Sequence, residues 1–354
     1  MVLSMQHRRI NPSIAAISLL SLLFLASASS AEEVAAPPRP RIALLAPERL
    51  RQGDLLLAWV VTIEAPTDLG ARAAETAVPA PPRIRLLAPD GSAAAEARCF
   101  ALPSILEAPR PDEPIARVYG ALIPLSTELA PGSYSIAADS GELGQAGASL
   151  AVEAREFPLE VIGLDASNSA LRARPTKRQQ TEARKLYALL GKTDEGAVYA
   201  DFSPFLFPVE GGFKSAGFGD RRRYLLSSGG SETSSHAGID WGVVKGTPVH
   251  ACERGRVAMV ADRELTGMTV VIEHLPGLYS LYFHLSSIKV REGEFVERGE
   301  TIALSGSTGL STGPHLHWEL RAMGEAVDPE YWLGAPLLDK EAIKATIIGL
   351  IEGR

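Results

Sequence analysis

Two short stretches, SHAGIDWG (Ser235–Gly242) and STGPHLHWEL (Ser311–Leu320), decide how this chain is read. The first places His236 four residues before Asp240, and the second places His315 two residues before His317. Between them LYFHL (Leu281–Leu285) carries His284. Imidazole nitrogens and a carboxylate oxygen are ligands that Zn²⁺ prefers, and three protein ligands with one open position is the pattern of a catalytic zinc. GPHLHWELR alternates like a strand, in which side chains at i and i+2 share a face. His315 and His317 then point into one cleft and Leu316 into the core. Gly238 lets the backbone bend closely between His236 and Asp240. The spacing assigns His236, Asp240 and His317 to one metal ion, with water in the fourth position.

Taken together, these motifs resemble the lysostaphin/LytM-type zinc endopeptidases of peptidoglycan. The similarity runs through most of 213–332, about a third of the chain: GFGDR (Gly217–Arg221), HAGID, GTPVHACERGRV (Gly246–Val257), LYFHLSSI (Leu281–Ile288), GSTGLSTGPHLHWELR (Gly306–Arg321) and VDPEYWL (Val327–Leu333). The order of these pieces is specific, although each alone is weak. The resemblance implies the duplicated hybrid motif fold, a small antiparallel β-sheet domain with a groove, and one Zn²⁺ per chain held by His236, Asp240 and His317. It also implies that His284 and His315 flank the metal-bound water and assist catalysis. Three departures stand out: Phe283 where a small residue is common, Leu275-Pro276-Gly277 in place of a Gly-Asn-Gly turn, and a Ser/Gly-rich run, Ser227 to Ser235, before His236. The last bears on the groove wall.

The surrounding sequence sets the architecture. At 354 residues with 46% hydrophobic and 22% charged residues, the chain has the composition of a soluble globular protein of two domains. Residues 1–31 read as a signal peptide: Arg8 and Arg9 lead an apolar run from Ile14 to Ala26, and Ser29-Ser30-Ala31 supplies small residues for cleavage. This predicts export across the cytoplasmic membrane to the periplasm or cell envelope, with no membrane span after cleavage; the alternative is an uncleaved N-terminal anchor. The formal charge of −7 argues against steering toward nucleic acid or an anionic membrane. Residues 32–155 carry about seven short apolar or alternating runs with turn signals such as Pro131-Gly132, which predicts a β-sandwich accessory domain. ELAPGSYSI (Glu128–Ile136) weakly resembles an immunoglobulin-like strand. No catalytic constellation stands there, and Trp59 reads as core; a cell-wall protein partner is one role for this domain.

Residues 156–200 read as a connector with a helix near 176–190, capped by Thr176 with Gln179. Its basic residues Lys177, Arg178, Arg184 and Lys185 read as a solvated face, with contact to anionic glycan as the rarer alternative. Residues 201–335 alternate strongly between Gly and Pro turns and predict antiparallel sheets without a convincing helix. Residues 336–354 have helical spacing. The fold class is therefore mainly β. Cys99 and Cys252 read as small buried residues, and His250 and His274 as structural. There is no H-E-x-x-H. The function implied is hydrolysis of peptide cross-links in peptidoglycan by zinc-activated water with histidine acid–base help. The alternative is a non-catalytic or latent LytM-like regulator that activates a cell-wall amidase by protein contact.

Overall fold

The computed structural model describes residues 41–64, 80–102, 113–173 and 175–353; the predicted signal segment lies outside them. The chain is mainly β. The described residues between 42 and 153 form two sheets face to face. One runs Ile42–Leu45, Leu55–Glu64, Ile115–Pro124, Phe100–Ala101; the other runs Arg49–Arg51, Gln145–Glu153, Gly132–Asp139, Arg83–Leu87, Ala93–Arg98. Leu56, Ala58 and Val60 meet Ile84, Leu86, Ile136 and Leu150 between the sheets. Two strands were illegible in the sequence. Arg49–Arg51 and Ala93–Arg98 lie at sheet edges, mostly exposed, and so lack an apolar alternation.

Strand Leu55–Glu64 is buried along its whole length, because each of its faces serves a different core. Alternate side chains of a strand point to opposite faces. Leu56, Ala58 and Val60 fill the sandwich. Leu55, Leu57, Trp59, Val61 and Ile63 join a second core with Phe202, Ile239, Val327 and Ile343 from the C-terminal part. Trp59 is core, as read, and its Nε1 donates to Leu337 O at 3.0 Å. The closing helix Lys340–Glu352, capped by Asp339, packs on this strand. A buried ionic knot ties the same junction: Arg155 Nη1 lies 2.6 Å from Asp328 Oδ2 and 3.6 Å from Asp54 Oδ1.

The C-terminal part is built on a sheet of eight strands among the described residues. Its order is Phe213–Ala216, Ile239–Gly242, His315–Ala322, Leu278–Leu285, Gly267–Leu275, Gly255–Arg263, Phe295–Val296, with Glu325–Val327 beside His315–Ala322. All its pairings are antiparallel. Between 201 and 335 the one helical element described is the 3-10 turn Glu330–Leu333. Cys99 and Cys252 are free, buried thiols, and His274 is a fully buried core histidine.

The connector departs from expectation. Helix Lys177–Leu190 has the capping box at Thr176 and Gln179, and Arg178 is tied back to Glu182 at 2.6 Å. A second helix, Ala166–Ala173, and a strand, Leu159–Gly163, were not anticipated. The strand pairs in parallel with Arg221–Leu225, which pairs in turn with Ser231–Ser235. The Ser/Gly-rich run is thus the turn and return strand of a hairpin. The connector supplies the third strand of this small sheet. Among the described residues no helix is long and apolar enough to cross a membrane.

Candidate metal centre and groove

Register brings the predicted ligands together. Asp240 lies directly across from His317 on adjacent antiparallel strands, and Gly242 across from His315. Leu316, between the two histidines, is fully buried on the opposite face, as the period of two requires. His236 enters from the loop before Ile239–Gly242, where the chain passes tightly over its neighbour. A Cβ on Gly238 would lie 2.2 Å from Trp318 O.

Three donor atoms converge. His317 Nδ1 is 2.6 Å from Asp240 Oδ1, His236 Nε2 is 3.0 Å from His317 Nδ1, and His236 Nε2 is 3.2 Å from Asp240 Oδ1. The other ring nitrogens are committed outward. His236 Nδ1 donates to Gly217 O at 2.6 Å, and His317 Nε2 donates to Glu319 Oε1 at 2.9 Å. A carbonyl and a carboxylate only accept, so both inward nitrogens are free to present lone pairs beside a carboxylate oxygen. Such a cluster calls for a cation. In a tetrahedron with ligands at 2.0–2.2 Å, ligand atoms stand about 3.3–3.6 Å apart; the observed triangle of 2.6, 3.0 and 3.2 Å is a few tenths of an ångström tighter, a gap that small side-chain shifts close. The donor set therefore fits Zn²⁺ in size and chemistry. Without an ion, a proton takes that role. Burial opposes charge on His317, but Asp240 and Glu319 outweigh it and lift its pKa to about 9.

Two further imidazoles face the same place. His284 and His315 have ring centroids 4.7 Å apart, and His315 Nε2 is 3.7 Å from Asp240 Oδ1. His284 Nδ1 donates to Thr308 O at 2.7 Å and His315 Nδ1 to Gly313 O at 2.8 Å. Each therefore turns Nε2 inward as a proton acceptor. Their environments differ. His284 is buried with φ at +58°, a conformation that a non-glycine residue adopts only when its surroundings enforce it. Burial, helped by His315 and His317, pushes its pKa down to about 3. Phe283, the departure noted in the sequence, stacks on the His317 ring at 5.2 Å.

Sequence reasoning missed the groups behind the ligands. Arg321 Nε donates to Glu319 Oε2 at 2.6 Å, which fixes the carboxylate that holds His317. The signal was present in the strand's period: residues 315, 317, 319 and 321 share a face. Arg222 Nη2 donates to Asp240 Oδ2 at 2.5 Å, and its Nε to Glu160 Oε2 at 2.9 Å. No local pattern marks that contact, because Glu160 comes from the connector. The site opens into a groove of about 280 Å³. Connector residues Ile162, Leu164 and Asn168 line it together with the loop Ser311–Pro314.

The model of peptidase family M23 matches residues 234–329. The catalytic domain of lysostaphin from Staphylococcus simulans is 31% identical, over 35% of this chain and 93% of that one, with a TM-score of 0.30. The chain belongs to peptidase family M23. It is 38% identical over 123 residues to peptidoglycan DD-endopeptidase ShyA of Vibrio cholerae, covering 34% of this chain and 28% of that protein. It is 41% identical over 97 residues to murein hydrolase activator EnvC of Escherichia coli, covering 27% and 23%. The chain thus spans about a quarter of the length of these curated relatives.

Proposed function

We propose that this chain is a zinc endopeptidase that hydrolyses peptide cross-links of peptidoglycan in the cell envelope. The observation that carries this reading is the triangle of His236 Nε2, Asp240 Oδ1 and His317 Nδ1 with two inward-facing imidazole nitrogens beside it. Zn²⁺ held by these residues would supply Lewis acidity, to activate water and polarise the scissile carbonyl. His236, Asp240 and His317 hold the ion; His315 and His284 act on the substrate side.

The two flanking histidines divide the work by environment. His284 is kept neutral by burial, so its Nε2 orients the attacking water by accepting a hydrogen bond. His315 is the more accessible of the pair. Its Nε2 takes the proton released on attack, and the imidazolium delivers it to the leaving amine. Gly313 O holds the His315 ring for both steps. Phe283, stacked on His317, excludes water from the ligand side.

The likeness to EnvC raises a second reading, a regulator acting by protein contact. The convergence of all five groups supports the enzyme reading. Zinc analysis together with digestion of purified sacculi separates the readings. The enzyme carries one zinc per chain and releases cross-link cleavage products identifiable by mass. Zinc-loaded protein that leaves sacculi intact but stimulates an amidase would establish the regulator.

A further inference from the structure

Arg222 is the one cation among the described residues lining the groove, and the chemistry above does not employ it. It stands on strand Arg221–Leu225, just before the metal-site segment. Two carboxylates grip one edge of its guanidinium, Asp240 at Nη2 and Glu160 at Nε. Its Nη1 has no hydrogen-bond partner among the described residues, and its side chain is 11% exposed. A guanidinium fixed on one edge and open on the other is preorganised to receive a further carboxylate.

Position gives this free edge a meaning. Asp240 Oδ1 belongs to the metal triangle and Oδ2 to Arg222, so ion and guanidinium share the two oxygens of one carboxylate. Besides Asp240 and Glu160, the remaining titratable groups facing the groove are Tyr224 and the two imidazoles of His284 and His315. Counting the ionic pair groups, a divalent ion and Arg222 against the carboxylates of Asp240 and Glu160 leave one unit of positive charge in the groove. An anion on the substrate is favoured there.

We propose that Arg222 is a specificity residue that binds a free carboxylate on the carbon carrying the leaving nitrogen. The groove then takes linkages made to the amine of a carboxylate-bearing centre, and discriminates against the interior of a glycine bridge, which offers no carboxylate beside the scissile amide. This rests on the peptidase reading of the same groove. Glu160 is a positioning residue: it aims the guanidinium from outside the M23 match and tempers its charge.

The test is calorimetric binding of two probe peptides to zinc-loaded His315→Ala protein, in which they persist uncleaved. The probes are identical D-alanyl peptides, except that the carbon bearing the scissile nitrogen carries a carboxylate in one and a carboxamide in the other. A charged bidentate contact predicts about tenfold or greater preference for the carboxylate. Adding Arg222→Gln should abolish that preference, and metal analysis on the same sample verifies that zinc is retained. Adding Glu160→Gln, which keeps both zinc ligand and guanidinium, should widen it severalfold. Equal affinity for the two probes, a preference that survives Arg222→Gln, or one that shrinks with Glu160→Gln overturns the assignment. Cleavage by the unaltered chain is read separately. Preferential binding without hydrolysis would refute the peptidase reading while leaving Arg222's role in place.

Discussion

His317 and Glu319 stand two residues apart on one strand, and His317 Nε2 donates to Glu319 Oε1 at 2.9 Å. Arg321, two residues further, completes the chain through Glu319 Oε2. Burial opposes the charge on Glu319, yet Arg321 and His317 hold its pKa down to about 2. Glu319 thus keeps its carboxylate charge in the interior, aimed at the outer nitrogen of a metal-facing ring. Such a partner fixes the tautomer and raises ligand basicity.

Replacing Glu319 with Gln should therefore weaken zinc binding by about tenfold, within the range seen for carboxylates behind metal-ligating histidines. Chelator competition measures this directly. An unchanged dissociation constant in Glu319→Gln would mean that the carboxylate serves packing alone.

His315→Ala and His317→Ala should separate chemistry from metal binding, although the two side chains lie on the same strand face. Loss of the shuttle at His315 should lower cleavage by about 10²–10⁴-fold with zinc still near one per chain. His317→Ala should lose zinc and cleavage together. Equal zinc loss in the two variants, by metal analysis, would refute the division of roles.

Trp59 joins the sandwich to the C-terminal part through Leu337 and an edge-on contact with Phe202 at 6.0 Å, and packs edge-on against Phe100 of its own sheet at 6.2 Å. Trp59→Ala should cost about 3–5 kcal/mol, lowering the midpoint of one common unfolding transition in denaturant. Two separate transitions, with only the N-terminal one shifted, would show that the lobes fold independently.

Glu253 is fully buried, and burial pushes its pKa up to about 7, with the neighbouring Asp201 adding to the effect. A carboxyl raised in the folded state stabilises below its unfolded pKa near 4.5, and that contribution fades as pH rises through about 7. Glu253→Gln mimics the protonated form. It should be close to neutral at pH 4.5 and stabilising by about 3 kcal/mol at pH 8. Denaturation curves at the two pH values give the comparison; a variant destabilised equally at both would contradict it.

The parts of this fold that repeat along the chain were readable from it. Alternation in residues 201–335 marks antiparallel strands, and the capping pair Thr176 and Gln179 marks the start of a helix. The strand Leu159–Gly163 and helix Ala166–Ala173 were not readable. Leu159 and Val161 are exposed, and the strand gains its stability from a partner about sixty residues away.

For the site, strand parity put His315 and His317 on one face, and the resemblance to lysostaphin/LytM-type enzymes supplied His284 and the grouping of all five residues. Only tertiary structure decided what stands behind and beside them. Register put Asp240 opposite His317, and a parallel pairing carried Glu160 to Arg222. Long-range packing gave the Trp59 face of the sandwich to the M23 domain. Those contacts depend on sheet pairings between distant segments, and no local periodicity encodes which distant strand a segment will choose.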